Sequence, residues 1–399
     1  MRVTWVNPAF ADYRVPVYAA LSELLAGQFT ILFSRPRVSP TVFAKIQAAL
    51  GEGAVGLTGE RNLWSTAKVE GFANRGINIP WQPGLLTAIA KSEPDVIVSE
   101  GFFQWTPASL LFRIARRVPL VIAYERTAHT ERNAGALRFR YRRLISRVTD
   151  AIACNGSLSR QYCMDGLGIP ADRILTGAMA ADSEFLAHQC GQRLSERRAA
   201  AATAGAARGP VFLYVGQLIP RKGLRELLRG WSLFCRNEQT AGSLVLVGDG
   251  PERASLENMV RELHLRDVTF AGPSAYEAIA AHYAAADALV MPTLEDNWSL
   301  VVPEAMACGL PILCSRHNGC WPELVKGNVN GWVFDPTDAG AVAQVFLAAC
   351  RDRERLSGMG QSSREIVQAY SPREAARAVL RACQVAVARP RGRHRDGCN

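Results

Sequence analysis

The stretch Met291–Leu313 reads MPTLEDNWSLVVPEAMACGLPIL and combines a strand end, an acidic loop, a short helix and the start of another strand. The apolar residues that end at Met291 are typical of a buried parallel strand. The following helix is predicted to be capped by Ser299 and to end at Gly309, a residue type that tolerates the left-handed conformation. This segment is therefore one strand–loop–helix unit of an open α/β sheet, in which loops at the carboxyl ends of the strands bind ligands.

Two acids of this segment, Asp296 and Glu304, are eight positions apart. One falls in the loop and the other in the first turn of the helix, so both are predicted to face one cleft. The backbone N–H groups of Leu300 and Val301 at the helix start would attract an anion. The alternative is structural: Glu304 complements the helix dipole and Asp296 begins a turn.

The run DNWSLVVPEAMACGLP, residues 296–311, resembles the group 1, family 4 retaining glycosyltransferases, whose two acids lie in a pattern close to EGFGLxxxEAMAxGxP. The resemblance implies that the first acid binds hydroxyls of the donor sugar and that Glu304 binds the ribose of the nucleotide. Either Asp296 or its neighbour Glu295 takes the first role. The remaining donor contacts in this segment would come from Asn297, Trp298, Ser299, Leu300 and Val301.

A second segment with binding character follows the β-rich run Val211–Val215 and reads GQLIPRKG, residues 216–223. It places Arg221 and Lys222 between a glycine turn and a helix, as a diphosphate site requires. In the resembling family an arginine and a lysine of this segment hold the donor diphosphate. Lys222 matches, whereas Gln217 stands in the arginine position, so Arg221 is predicted to supply the second charge. The glycine turns that the family places beside the nucleotide and its base correspond to Gly216, Gly248, Gly250 and Gly272.

The length predicts about two domains, because 399 residues exceed one ordinary hydrophobic core. Strands alternate with helices from the first residues onward, which is typical of a doubly wound sheet. With the resemblance, this gives an α/β protein of the GT-B fold: two Rossmann-like, doubly wound parallel-sheet domains facing across a cleft. The predicted parts are an acceptor-side domain 1–185, a linker 186–210, a nucleotide-sugar-binding domain 211–371 and a disordered tail 390–399. The helix at about 372–389 is predicted to pack back on the first domain.

The amino-terminal half offers three further candidate residues. Tyr13 and Arg14 lie in the first predicted loop and are candidates for the acceptor side, although Arg14 is equally compatible with a surface arginine. His129 lies just past the strand Leu120–Tyr124, where the resemblance implies a histidine that touches the donor sugar. It completes the predicted catalytic set with Asp296, Glu304, Arg221 and Lys222. The alternative is a loop histidine that bonds only to backbone or water.

Composition excludes several classes of protein. The chain is 48% hydrophobic and 21% charged, and it contains no apolar run near the roughly 20 residues that span a bilayer. The opening residues lack the long apolar region of a signal peptide, so we expect a cytoplasmic enzyme. The ten cysteines form no CxxC pair and the six histidines stand apart. We therefore expect thiols buried as small hydrophobic groups and no metal site.

The net charge of +10 is concentrated between Arg113 and Arg147, where eight further arginines are opposed only by Glu125 and Glu131. Such a patch would steer an anionic ligand or contact an acidic membrane at its inner face. A solvated helix face is the plainer interpretation. Nucleic acid is not expected as a partner, because no zinc-finger, RNP or basic-zipper pattern accompanies the charge.

The resemblance implies transfer of a sugar from a nucleoside-diphosphate sugar to a hydroxyl of a glycan or lipid-linked acceptor, with retention of the anomeric configuration. The implied setting is bacterial surface polysaccharide, lipopolysaccharide or glycolipid synthesis, with no cofactor and no essential metal. Two alternatives remain open. One is a nucleotide-sugar epimerase or phosphorylase on the same fold. The other is an inactive nucleotide-sugar-binding protein, because Asp296 and Gln217 depart from the family pattern.

Overall fold

The computed structural model describes residues 1–65, 78–192, 209–236 and 242–389. They form two compact units: unit 1 comprises Met1–Ala180 and the segment that begins at Pro372, and unit 2 comprises Ala181–Ser371. The division falls before the predicted boundary at residue 185. Residues 184–192, which were expected to belong largely to a linker, are helical and bury Leu186 and Cys190 within unit 2. The rest of the predicted linker, 193–208, and the predicted tail 390–399 lie outside the described residues.

Unit 1 contains one parallel sheet of seven strands and a separate antiparallel pair. The strand bounds are β1 Val3–Val6, β2 Phe29–Ser34, β3 Ala54–Leu57, β4 Arg61–Ser65, β5 Asn78–Trp81, β6 Val96–Glu100, β7 Leu120–Tyr124, β8 Ala151–Cys154 and β9 Ile174–Thr176. The sheet order is β3-β2-β1-β6-β7-β8-β9, with β4 paired to β5. The central strands are mostly apolar, and even their polar residues Thr4 and Ser99 are buried, because helices cover both faces of the sheet.

The helices of unit 1 form two layers, one on each face of this sheet. Their bounds are α1 Val15–Leu24, α2 Pro40–Leu50, α3 Leu85–Lys91, α4 Thr106–Ala115, α5 Ala136–Val148, α6 Ser157–Asp165 and α15 Pro372–Ala388. One layer holds α1, α2 and α15 and shares a core with Trp5 and Val98. The other holds α3, α4, α5 and α6 and shares a core with Ile97 and Ile122.

Helix α15 lies in unit 1 although it follows unit 2 in the chain. It packs on α1 and β8 through a face of small residues, of which Ala376, Val379 and Ala382 are fully buried. Small side chains allow the helix backbone to approach its neighbours closely. Unit 1 is therefore built from two separate segments of the chain.

Unit 2 contains a second parallel sheet, of six strands. The bounds are β10 Val211–Val215, β11 Ser243–Val247, β12 Val268–Gly272, β13 Ala288–Met291, β14 Ile312–Ser315 and β15 Gly331–Phe334, in the order β12-β11-β10-β13-β14-β15. The helices are α7 at 184–192, α8 Leu224–Cys235, α9 Arg253–Glu262, α10 Tyr276–Ala285, α11 Val301–Ala307, α12 Trp321–Leu324, α13 Ala339–Arg351 and α14 Leu356–Val367.

Packing of α8 against α13 covers the strand that leads to the candidate site. Phe212 of β10 meets the rings of Trp231 and Phe346 edge to face, with centroids 5.9 and 4.7 Å away. Gly230 lets the helices approach, since a Cβ there would lie 2.3 Å from Cγ1 of Val342. These contacts hold β10 rigidly beneath the loop that follows it.

The expected α/β class with two Rossmann-like parallel sheets is confirmed. Seven of the nine cysteines within the described ranges are buried, as expected for small core residues; Cys235 is exposed and Cys350 is partly buried. Among the described residues, no helix is both long and apolar enough to cross a membrane.

Candidate functional site

In unit 2 the direction in which successive strands are added to the sheet reverses between β10 and β13, which makes this pair the topological switch point. From β10 the chain proceeds through β11 to β12 on one side, and β13, β14 and β15 follow on the other. The loops after β10 and β13 therefore leave the sheet side by side, where open α/β sheets bind ligands. The two segments singled out in the sequence are these two loops.

The loop after β10 is locked to the loop after β13 through backbone atoms. The carbonyl oxygen of Arg221 accepts hydrogen bonds from the N–H of Leu294, at 2.9 Å, and the hydroxyl of Thr293, at 3.0 Å. Gly223 has a φ of 70°, and a Cβ there would lie 2.2 Å from the carbonyl oxygen of Pro292. The requirement for glycine at this position therefore has both a conformational and a steric cause.

This junction brings Lys222 and Asp296 into direct contact. Lys222 Nζ lies 2.5 Å from Asp296 Oδ2, and Ser299 Oγ donates to the same oxygen at 2.7 Å. Asp296 is only 6% exposed. Burial raises the pKa of its carboxyl group, but the charge and hydrogen bond of Lys222, the Ser299 hydroxyl and the charge of Arg221 together hold that pKa below its ordinary value. Asp296 is therefore ionised at neutral pH.

Of the two candidates for the first acid, Asp296 is the one whose side chain meets Lys222. The neighbouring Glu295 is also buried, and its backbone N–H donates to the carbonyl oxygen of Arg221 at 3.3 Å. Both acids thus belong to the same junction. Their roles toward a sugar stay predictions.

A third loop, which follows β14, supports the acidic loop from the other side. Asn318 Oδ1 accepts from the N–H of Ser299 at 3.3 Å, and Gly319 donates its N–H to the carbonyl oxygen of Asp296 at 3.0 Å. A Cβ at Gly319 would lie 1.8 Å from the carbonyl oxygen of Asn297. Neither Asn318 nor Gly319 was among the predicted site residues. Gly319 acts through its backbone N–H, which leaves little signal in the residue type, whereas Asn318 acts through its side-chain carbonyl oxygen.

The helix after the acidic loop is short, and the prediction that Ser299 caps it is wrong. Helix α11 begins at Val301 after Leu300, and no side chain caps it. The Ser299 hydroxyl is instead committed to Asp296. Glu304 lies in the first turn as predicted, where it accepts a hydrogen bond from the Tyr283 hydroxyl at 2.9 Å. Gly309 follows the helix with a φ of 81°.

The predicted nucleotide-side glycines line up at the carboxyl ends of three adjacent strands. Gly216 donates its N–H to the carbonyl oxygen of Val247, and Gly248 donates to that of Gly272. A Cβ at Gly248 would lie 1.8 Å from the carbonyl oxygen of Gly216, and one at Gly250 would lie 2.4 Å from that of Leu218. At this edge of the sheet, the loops that follow the three strands therefore pack against one another backbone to backbone. Gln217 is exposed at this edge, and its carbonyl oxygen accepts from Tyr214.

Two buried polar atoms of the acidic loop lack a hydrogen-bond partner within the described ranges. They are Asn297 Oδ1 and Trp298 Nε1, and both residues are no more than 6% exposed. Buried polar groups are almost always paired, so these two atoms keep unused hydrogen-bonding capacity next to the cationic junction. Leu300 and Val301, at the start of α11, are partly exposed.

In unit 1 the first-loop candidates belong to a charged cluster with two acids that were not among the predicted site residues. Arg14 is 3% exposed and donates to Glu125 at 2.7 Å and to Glu100 at 3.4 Å. The interpretation of Arg14 as a surface arginine is wrong. Glu100 is the last residue of β6 and Glu125 follows β7. Only the strand order reveals that β6 lies beside β1 and β7 beside β6. Tyr13 adjoins the cluster, since its ring centroid lies 6.0 Å from the guanidinium carbon of Arg14. Burial, followed by the charge of Glu125, raises the pKa of the Tyr13 hydroxyl.

The predicted catalytic histidine, His129, also lies in unit 1, in the turns after β7. Its carbonyl oxygen accepts a hydrogen bond from Arg132. Its role stays a prediction. Among the described residues, no group of three or more His, Cys, Asp or Glu side chains is arranged to hold a metal ion. The expectation that no metal is essential also stays a prediction.

We predict that Glu100 makes unit 1 less stable as the pH rises. Burial and the neighbouring Glu125 raise the Glu100 pKa to about 7, against the opposing effects of Arg14 and Trp5. Because the folded state holds the Glu100 proton more tightly than the unfolded chain, this group stabilises the fold fully below 4.5, the pKa in the unfolded chain. The stabilisation is lost as the pH rises through 7. Between pH 5 and 8, the wild type should lose about 1–3 kcal/mol more unfolding free energy than Glu100→Gln. Urea unfolding at both pH values measures this. The exposed Glu52→Gln variant is the control, and equal losses in all three proteins would contradict the prediction.

Residues 197–366 match the family described as glycosyl transferases group 1, which confirms the resemblance indicated by the sequence. Among curated proteins, the chain is 32% identical over 168 residues to a GDP-mannose-dependent alpha-(1-6)-phosphatidylinositol monomannoside mannosyltransferase of Mycobacterium tuberculosis, covering 40% of this chain and 43% of that protein. It is 25% identical over 317 residues to the sulfoquinovosyl transferase SQD2 of Arabidopsis thaliana, covering 75% and 58%. The matches thus span about half the length of these relatives.

Among solved structures, Anabaena Alr3699/HepE in complex with UDP aligns with a TM-score of 0.72 and 16% identity, over 96% of this chain and 100% of that chain. At this identity the likeness shows the fold alone. The GT-B assignment made from the sequence is therefore confirmed at the level of architecture.

Proposed function

Since residues 197–366 carry the match to the group 1 glycosyl transferases, we propose that this chain moves a sugar from a nucleoside-diphosphate sugar to an acceptor hydroxyl, with retention of the anomeric configuration. The observation that carries the proposal is the contact of Lys222 with Asp296 at the β10/β13 switch point. A cation held by an ionised acid, beside strand ends built from glycine backbone, suits a ligand that combines phosphates with sugar hydroxyls.

In this proposal Lys222 and Arg221 act on the leaving group. Breaking the bond between the anomeric carbon and the phosphate oxygen leaves negative charge on the nucleoside diphosphate, and preorganised cations stabilise that charge as it develops. An ammonium group has three hydrogens, of which one points at Asp296, so it can hold the acid and a phosphate oxygen together. The protein's own cations would thus stabilise the charge that a divalent metal ion stabilises in other enzymes. We therefore expect activity without added metal.

The acids position the donor rather than attack it. Asp296, with Glu295 beside it, would bind sugar hydroxyls, and Glu304 would bind the ribose. The acceptor oxygen would approach on the face from which the diphosphate departs, form the new bond to the anomeric carbon, and pass its proton to the departing phosphate oxygen. This sequence retains the configuration and needs no covalent intermediate with the protein.

The acceptor class rests on the relatives. The mycobacterial relative is named for a phosphatidylinositol mannoside, a glycolipid. We therefore propose a lipid-linked or polymeric glycan as acceptor for this chain also. These two relatives are named for different sugars, mannose and sulfoquinovose, so the donor sugar is to be identified by experiment.

The test is a screen of nucleoside-diphosphate sugars by thermal unfolding, followed by transfer assays with the donors that bind. A ligand present at a hundredfold excess over its Kd stabilises the folded state by about 2.7 kcal/mol, so true donors should raise the unfolding temperature clearly. With an acceptor, NMR should show a product with the donor's anomeric configuration. Inverted product would overturn the proposed mechanism. Epimerised donor without acceptor would favour an epimerase, and binding with no turnover would favour an inactive binding protein.

A further inference from the structure

The outer face of one helical layer in unit 1 has an unusual combination of residues. Helices α3, α4 and α5 belong to the layer whose core includes Ile97 and Ile122. Their sequences, LLTAIAK, TPASLLFRIA and ALRFRYRRLISRV, contain no aspartate or glutamate. A solvated helix face normally mixes both signs of charge, as α15 does in the opposite layer with PREAARAVLRACQVAVA.

Large apolar side chains project from this face into solvent. Leu137 and Leu144 of α5 are 72% and 58% exposed, and Ile114 of α4 is 69% exposed. Leu111 of α4 and Leu86 of α3 are about half exposed, and they line a groove of about 470 Å³ together with Leu63 and Trp81. Several large apolar side chains exposed on neighbouring elements of one helical layer are typical of an interaction site.

Arginines are interleaved with these apolar residues. On α5, the exposed positions are Ala136, Leu137, Arg140, Arg143, Leu144, Arg147 and Val148. Arg140, Arg143 and Arg147 surround Leu144 in a shallow depression, and Arg116 and Arg117 are exposed just after α4. None of these five arginines forms an ion pair with a carboxylate in the part of the chain that the structure describes. Other arginines of the basic segment have internal partners: Arg142 and Arg126 hold Glu131, and Arg113 holds Asp150.

We propose that this arginine–leucine face, formed by the exposed residues of α3, α4 and α5 with Arg116 and Arg117, docks unit 1 on an anionic lipid bilayer. The leucine and isoleucine side chains would enter the boundary between headgroups and acyl chains, while the arginine stems extend outward and place their guanidinium groups on lipid phosphates. The groove beside Leu111 and Trp81 would take an acyl chain. A nucleic-acid surface explains the arginines but not the exposed leucines, which find no partner on a phosphate backbone.

The experiment measures co-sedimentation of the full chain with vesicles of phosphatidylcholine alone and of equal parts phosphatidylglycerol and phosphatidylcholine, at low and high salt. One variant set removes apolar groups and the other reverses charge: Leu137→Ser with Leu144→Ser, and Arg140→Glu with Arg143→Glu and Arg147→Glu. Matched controls make the same kinds of change at exposed positions of unit 2: Leu233→Ser with Leu263→Ser, and Arg229→Glu with Arg261→Glu.

We expect binding to the anionic vesicles only, weakened by salt, and reduced by about tenfold or more in each of the two variant sets but in neither control. Hydrogen exchange of the wild type on vesicles should show protection of residues 106–117 and 136–148, a result that does not depend on any variant. Equal binding to neutral vesicles, or none to anionic ones, overturns the proposal. Loss only in the arginine set, with competition by an oligonucleotide, would identify a nucleic-acid surface instead. Vesicle binding does not require transfer activity, so failure of one proposal leaves the other standing.

Discussion

Replacing Lys222 by methionine should lower the kcat of the proposed transfer by about 10²–10³-fold, because the charge that develops on the leaving diphosphate would lose one of its two proposed cations. The same change leaves the buried Asp296 carboxylate without its ion-pair partner. Removing one partner of a buried pair commonly costs about 3–5 kcal/mol of stability, so some loss of unfolding temperature is expected as well. Steady-state kinetics and thermal unfolding measure the two effects separately.

The double variant Lys222→Met with Asp296→Asn separates catalysis from folding. Without a charge on residue 296, the buried pair no longer leaves an unpaired ion, so stability should recover most of the loss while activity stays low. The matched control is Lys326→Met, an exposed lysine of the same unit, which should alter neither property. Near wild-type kcat in Lys222→Met would contradict the proposed role of the cation. Recovery of activity in the double variant would show that the single change acted only through folding.

Gly319→Ala should damage the acidic loop without changing any charged group. Its Cβ would lie 1.8 Å from the carbonyl oxygen of Asn297 and 2.7 Å from the carbonyl carbon, so the backbone of one loop must move. Overpacking typically costs about 1–3 kcal/mol and more where backbone is the obstacle. For a unit of this size, each 1 kcal/mol lowers the unfolding temperature by about 2–4 °C. We also expect donor-induced stabilisation to disappear, because Asp296 is held by the N–H of Gly319.

Gly327→Ala is the control for this prediction, since nothing lies within 4 Å of a Cβ at that position. It should behave like the wild type in thermal unfolding with and without donor. If Gly319→Ala also retains donor-induced stabilisation, the loop after β14 does not govern the site. If both glycine variants lose it, the effect is general to glycine replacement in these loops.

The sequence predicted the parts of the site that depend on local pattern. The pattern of strand, acidic loop and helix predicted where Asp296 and Glu304 lie. The glycine turn with adjacent cations predicted that Lys222 lies in a second loop at a strand end. The meeting of these two loops follows from strand order, because β10 and β13 stand side by side at the switch point. Local pattern was thus sufficient to predict a loop's position, and the general rule for open α/β sheets predicted which two loops meet.

The contacts that sequence reasoning missed depend on neighbours far apart in the chain. Arg14 meets Glu100 and Glu125 only because β1, β6 and β7 adjoin in an order that no local pattern encodes. Gly319 acts through backbone atoms, which any residue type possesses. Ser299 has the residue type of a helix cap, but its hydroxyl is closer to a buried carboxylate that needs a donor, and that stronger hydrogen bond prevailed.

The placement of α15 in unit 1 affects the order in which the chain can assemble. All of unit 2 is synthesised before α15, so unit 2 can complete its core first. During that time α1 and the face of the sheet at β8 still lack the helix that packs on them. Until α15 arrives, that nascent face exposes apolar surface that a chaperone would recognise. The core of unit 1 can therefore be completed only after the whole of unit 2 and α15 have been synthesised.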